Sequence, residues 1–342
     1  MDASKWFSFS RQHARLSQWA AISGVAFLLM LSGCSSVKVG LGMRTRINKV
    51  PLASMAVTLP KGPGIAPGQK LAMVATFMGT DGKTLVTEGE GHGKVLWADL
   101  TVVGTLVTAD KKGNITLPAD PRISDGKTPH ITITVPSHPD LHADLDIPLR
   151  YDYGFVADFS GRPGTNGSPG MDGMSGISGM MGSIDPDNPS PGGDGTDGGD
   201  GSNGGDGGDG GDAPPVQVRV TLRAGNHPLL QIGVYAAGAQ KFFLVDPQGG
   251  SLMVRADGGP GGSGGKGGSG GRGGSGGSGS PDGNSGRDGS DGMDGSDGVS
   301  GNAGSITVTY DPQAKPFLTA IKTENLGGPK PVFVQDTVTA LW

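Results

Sequence analysis

From Leu52 to about Ser160, apolar and polar residues alternate in short runs, with turn residues roughly every 8–12 positions. Leu71, Met73, Ala75 and Phe77 alternate, Gly79-Thr80-Asp81-Gly82 turns the chain, and Leu85 and Val86 resume the pattern. Val95, Trp97 and the stretch from Leu100 to Val107 follow, then Lys112-Gly113-Asn114 turns into Ile115-Thr116-Leu117. Beyond Ser124-Asp125-Gly126, Ile131, Ile133 and Val135 alternate, and Leu141, Ala143, Leu145, Ile147 and Leu149 share one face of a further strand. With about seven such strands and no 3.6-residue period, the segment predicts an immunoglobulin-like β-sandwich over residues 52–160. A second β unit is predicted from Val216, Val218, Val220 and Leu222, with further strands at Leu230 to Val234, Phe242 to Val245 and Leu252 to Val254. It resumes at Ile306, Val308 and Tyr310 and closes with Val332-Phe333-Val334 and Trp342, so its parts are 213–257 and 305–342.

The β pattern is interrupted twice by glycine. Of 342 residues, 66 are Gly, and most of these fall in two tracts, 161–212 and 258–304. Residues 161–184 hold eight Gly-X-Y triplets, the run Asp185-Pro186-Asp187-Asn188-Pro189-Ser190-Pro191 breaks the phase, and residues 192–212 hold seven more. The second tract holds eight triplets from Gly258 to Pro281 and eight from Gly283 to Ile306, with a one-residue slip at Asp282. The slip coincides with Pro281-Asp282-Gly283, in which Pro presets φ, Asp is expected to bond its own backbone and Gly to supply positive φ. Each tract therefore reads as two legs that fold back at a corner.

Glycine at every third residue suits a left-handed polyproline II helix, which has three residues per turn and no internal hydrogen bonds. Its backbone N–H and C=O groups need partners in water or in a neighbouring chain. A bundle of legs bonded side by side within one chain, a collagen-like trimer, and a solvated disordered linker all meet that need. Collagen-like chains carry about 15–20 % Pro or more, whereas these legs contain only Pro163, Pro169, Pro260 and Pro281. In a bundle, the Gly-Gly-X legs 192–212 and 258–281 suit the middle, because two bare faces admit close neighbours, and the other two suit the flanks. The outgoing leg of the second tract is basic (Lys266, Arg272), between acidic legs carrying Asp194, Asp197, Asp200, Asp206, Asp209 and Asp212 on one side and Asp288, Asp291, Asp294 and Asp297 on the other. Charge attraction is expected to set their order. The Gly-Gly-X period with flanking strands resembles the glycine-rich domain of Obg-type GTPases and the glycine-rich antifreeze proteins, which implies helices set beside or between strands. No Gly-x-x-x-x-Gly-Lys-Ser/Thr element accompanies it, so the GTPase is not implied.

The N-terminal 33 residues have the layout of a targeting signal. Lys5, Arg11 and Arg15 precede an apolar run from Trp19 to Leu31, which ends in Leu31-Ser32-Gly33-Cys34. This resembles the lipobox of bacterial lipoproteins, which implies cleavage before Cys34, acylation of that cysteine and a tether over 34–51. Ser35 in the next position implies, by the enterobacterial pattern, sorting to the outer membrane. The apolar run is short for a stable membrane anchor. Cys34 is the sole cysteine, so no disulfide is available.

Net charge is −5, which speaks against nucleic acid as a partner. Four residues are weak metal candidates: His138, His142, Asp144 and Asp146, in a strand whose opposite face is apolar; an outward row of this kind is ordinary surface. Gly192-Gly193-Asp194-Gly195-Thr196-Asp197 matches the opening of a calcium-binding nonapeptide repeat, but the nine-residue period fails and one acid per rod turn spaces carboxylates about 9 Å apart, too far for one calcium ion. A solvated acidic face is expected there. Met171, Met174, Ile177, Met180 and Met181 form an apolar stripe expected to pack against a sheet. No nucleophile elbow, zinc-hydrolase spacing or dinucleotide fold context is present, and no cofactor is expected. The expected function is therefore non-enzymatic: a lipid-anchored outer-membrane protein with a structural, spacer or adhesive role, monomeric and bound to the membrane through Cys34. The alternatives are a metal- or carbohydrate-binding domain or hydrolase using the His138 to Asp146 face, and a collagen-like trimer.

Overall fold

A computed structural model describes residues 44–223, 225 and 227–342. The described chain is mainly β, with several sheets, and divides into two compact units, the second spanning Tyr151–Trp342.

The first unit contains nine short strands: β1 (Leu52–Thr58), β2 (Lys70–Ala72), β3 (Val74–Gly79), β4 (Thr84–Val86), β5 (Thr101–Thr105), β6 (Thr108–Ala109), β7 (Asn114–Thr116), β8 (His130–Val135) and β9 (His138–Asp146). They form three three-stranded sheets, ordered β1-β3-β4, β2-β7-β6 and β5-β8-β9, all paired antiparallel. Alternation places Leu71, Met73, Ala75 and Phe77, and likewise Ile131, Ile133 and Val135, in one core with Val95, Trp97, Ile115 and Ile147. Of these strands, the sequence pattern marks no run at the two-residue β6, which is too short to show a period. A single helical turn, Pro121–Ser124, is started by Asp120, whose carboxylate accepts the Arg122 N–H.

The second unit holds β10 (Gly154–Asp158), β11 (Val216–Arg223), β12 (Leu229–Ala236), β13 (Ala239–Val245), β14 (Ser251–Arg255), β15 (Ile306–Tyr310), β16 (Ile321–Glu324) and β17 (Val332–Gln335). One sheet, β10-β14-β16, is entirely parallel; the other runs β13-β12-β11-β15-β17. The domain boundary differs from the expected Ser160. Gly154–Asp158 falls in the second unit, because Phe155 and Ala157 are buried there and the strand pairs residue for residue with Ser251–Arg255. Val216, Val218 and Val220 point into the core on every second residue, as do Ile306 and Val308. The buried Gln231 side chain accepts the Leu341 N–H (3.2 Å) and reaches the Trp342 carbonyl, and Trp342 packs edge-on against Phe242, so the C-terminal segment is fixed to β12 and β13.

Replacing the fully buried Phe77 by Ala removes a large side chain from the first unit's core. A loss of about 3–5 kcal/mol is expected, read as a lowered urea midpoint.

Candidate functional site: a four-leg glycine bundle

The glycine tracts emerge from the second unit's sheets. Leg 1 (161–184) follows β10 and leg 3 (258–281) follows β14; leg 2 (192–212) leads into β11 and leg 4 (283–304) into β15. The legs contain no helix or strand and bond to one another rather than to themselves. Legs 1 and 3 run parallel: Gly164 N–H donates to the Pro260 carbonyl (2.8 Å), Gly173 to Ser269 (2.8 Å) and Gly182 to Ser278 (2.7 Å). Legs 2 and 4 run parallel too, with Gly195 donating to Asn284 (2.9 Å) and Gly204 to Met293 (2.9 Å). The remaining pairs are antiparallel. Gly199 N–H donates to the Met174 carbonyl of leg 1, Gly271 N–H to the Gly199 carbonyl of leg 2, and Gly289 N–H to the Gly271 carbonyl of leg 3. Legs 2 and 3 thus each touch all three others, whereas legs 1 and 4 lie on the flanks. That order follows from two glycines per triplet in the middle legs. The reversals fall where the phase breaks, at 185–191 and at 280–283.

Close approach explains which glycines are obligatory. A Cβ on Gly270 would fall on the Gly289 carbonyl of leg 4, and one on Gly271 on the Met174 carbonyl of leg 1, so leg 3 admits no side chain at its first two triplet positions here. At the second position of leg 2 there is more room: a Cβ on Gly199 would sit 3.2 Å from the Met174 nitrogen. There the sequence places Thr196 and Ser202, whose hydroxyls accept the Ile177 and Met171 N–H groups of leg 1 (2.7 Å each).

The acidic residues do something other than expected. Asp194, Asp197, Asp200, Asn203, Asp206, Asp209 and Asp212 of leg 2 each turn one side-chain oxygen onto a leg 4 amide, at 2.6–2.8 Å. Asp288, Asp291, Asp294 and Asp297 of leg 4 likewise accept the Gly273, Gly270, Gly267 and Gly264 N–H groups of leg 3. These rows are acceptor ladders for orphan backbone donors, which corrects the expectation of a merely solvated acidic face. Leg 3 does touch both acidic legs, 2 and 4, which also bond directly to each other, but ion pairing does not place it: among the described residues neither Lys266 nor Arg272 forms an ion pair. The methionine stripe is also corrected. Met171, Met174, Ile177, Met180 and Met181 are exposed and pack on no sheet.

The His and Asp row of β9 alternates outward as expected, but its members do not converge on a ligand. His142, Asp144 and Asp146 stand opposite Thr134, Thr132 and His130 of β8. His130, missed in the sequence, takes both carboxylates, with Nδ1 2.7 Å from Asp146 and Nε2 3.3 Å from Asp144. Its signal was present in the His130-x-Thr132-x-Thr134 alternation, which becomes meaningful only with the cross-strand register. His142 lies 3.6 Å from Asp144, while His138 turns to the Ser137 hydroxyl (2.9 Å). Among the described residues, no group of three His, Cys, Asp or Glu side chains is placed to hold a metal. The Asp146 hydrogen bond, against some desolvation and with help from Asp144, holds the His130 imidazole above its ordinary value. Thr132 foremost, then His130, lower the Asp144 carboxyl. Cys34 and the targeting segment lie outside the described residues.

Gly271→Ser is expected to abolish protection of the glycine amides in hydrogen exchange, while Gly199→Ser leaves it intact, since Ser202 already occupies the equivalent place. Asp197→Asn, which keeps the acceptor as Asn203 does, is expected to be neutral, and Asp197→Leu to cost about 1 kcal/mol in thermal or urea unfolding. The raised His130 value makes its contribution to stability complete below the unfolded value of about 6.5 and lost as pH rises through the folded one. An NMR titration is expected to place His130 above free histidine, and Asp146→Asn to bring it down.

No protein-family model matches the chain, and no curated protein matches it.

Proposed function

We propose that this protein is a non-enzymatic, lipid-anchored component of the bacterial outer membrane, held there by Cys34 as a monomer. Its four glycine legs serve as a stiff spacer or adhesive module. In this reading each leg is a left-handed polyproline II rod, and the first unit is an immunoglobulin-like sandwich. Eight triplets at about 3.1 Å per residue make a rod on the order of 70 Å long, which would carry a binding face well away from its supporting sheets. The observation that carries the reading is the backbone bonding among four legs of one chain, repeated at every triplet. It satisfies the donors that a collagen trimer would satisfy with other chains. The charge signature of nucleic-acid binding is lacking, with a net charge of −5.

The anchor and the rods are tested separately. In bacteria fed labelled palmitate, the wild-type chain is expected to take up label and fractionate with the outer membrane; Cys34→Ser is expected to abolish uptake and release the protein. Slow exchange of glycine amides within 161–304, in a species that sediments as a monomer, is the result expected of the rods. Exchange at random-coil rates, or a concentration-dependent trimer, would refute them.

A further inference from the structure

The face shared by legs 1 and 2 carries a row of side chains with nothing upon it. Met171, Met174, Ile177 and Met180 are 80, 85, 75 and 86 % exposed. All four occupy the second position of consecutive triplets, so they repeat once per turn of leg 1. Below them, the backbone amides fall into two classes. Those of Met171 and Ile177 donate to the Ser202 and Thr196 hydroxyls of leg 2. At Met174 and Met180 the facing residues are Gly199 and Gly193, which have no hydroxyl to offer, and these two amides have no acceptor among the described residues. Their carbonyls are already used, by the Gly199 N–H (2.7 Å) and the Gly193 N–H (2.8 Å).

The face therefore offers solvent two backbone donors that no other leg uses, beside an apolar row. A fitting occupant supplies carbonyl oxygens six residues apart, brings no N–H groups of its own to satisfy, and carries apolar groups at the same three-residue pitch. A proline-rich extended segment has these properties: its ring removes the N–H, its fixed φ presets the three-residue repeat, and it docks with little loss of entropy. A second copy meeting the row with its own row would set donors against donors. The unbranched methionines adapt to the shape of the ring edges.

We propose that the face formed by legs 1 and 2 is a docking groove for a proline-rich extended polypeptide, fixed by the Met174 and Met180 amides and packed by Met171, Met174, Ile177 and Met180. This rests on the legs being bonded rods, though not on the lipid anchor. The test uses the full chain and a fluorescein-labelled decaproline peptide, followed by fluorescence polarisation, with a glycine–serine peptide of equal length as control. Saturable binding of decaproline alone is expected. Gly193→Ser/Gly199→Ser places hydroxyls where Thr196 and Ser202 already have them, consumes both donors, and is expected to weaken binding about ten-fold or more. Met174→Ser/Met180→Ser is expected to remove it, and since those side chains make no contact between legs, it decides the matter should the serines on leg 2 disturb the bundle. Absence of saturable binding, undiminished binding to both double variants, or methionine-dependent self-association or uptake onto phosphatidylcholine vesicles that decaproline does not compete would overturn the groove. Hydrogen exchange on the same samples separates the two failures: protected glycine amides without peptide binding sink only the groove, and unprotected amides sink the rods with it.

Discussion

Everything in the second unit depends on one backbone being able to approach another without an intervening Cβ. The legs have no hydrogen bonds of their own, so an amide that bonds within the protein finds its partner on a neighbour, and the neighbour must come within hydrogen-bond reach on more than one side. Ordering so much glycine is entropically expensive. Only bonds repeated along the whole length offset it, and they repeat only while phase is kept. The sheets set that phase. Gly154 pairs with Ser251, and the same separation of 97 residues recurs where the Asn166, Asp172 and Ser178 side chains of leg 1 meet Ser263, Ser269 and Ser275 of leg 3. Val216 pairs with Ile306, and the same separation of 90 recurs between the side-chain ladder of leg 2 and the amides of leg 4. The bundle continues two parallel strand pairs beyond the edge of the β structure, with no change in register.

This continuity accounts for the parallel sheet β10-β14-β16. Parallel strands need long crossovers, and here the crossovers are the glycine legs and the segments after them. It also accounts for the position of β10 outside the first unit: a leg that must run beside leg 3 has to leave from a strand that runs beside β14.

Much of this was legible in the sequence. The alternation of Leu71 to Phe77, Ile131 to Val135 and Val216 to Leu222 marks strands because a half-buried strand has a period of two. The fold-back corners showed as breaks of phase, and the middle legs as Gly-Gly-X, because both are consequences of close packing within one chain. What stayed hidden depends on register between distant segments. His130 acquires its partners only when β8 is laid against β9. The allegiance of Gly154–Asp158 depends on a strand almost a hundred residues away. The two-residue β6 is held by its neighbours and is too short for a pattern. The methionine stripe was misjudged for a different reason. Exposed apolar rows are uncommon on soluble surfaces, so burial was the better expectation from composition, and only the placement of leg 1 on a flank shows that nothing within the unit covers it.

The distribution of charge among the legs follows from hydrogen-bond accounting rather than from attraction between opposite signs. The third triplet position of leg 2 faces second-position amides of leg 4, and the third position of leg 4 faces first-position amides of leg 3; apart from Ala303 at the end of leg 4, both positions are therefore filled by short acceptors, Asp, Asn or Ser. The third position of leg 3 is where Lys266 and Arg272 stand, and their side chains meet no partner among the described residues, so a base is tolerated there as readily as the serines around it. Asn203 makes the point within a single ladder: it lacks charge yet sits in an otherwise acidic row and bonds Met293 at the same distance, 2.8 Å. Aspartate suits the position because a carboxylate is acceptor-only, so either oxygen can meet an amide that has no carbonyl to meet. The acidity of the protein is in this sense a by-product of a scaffold built from backbone donors.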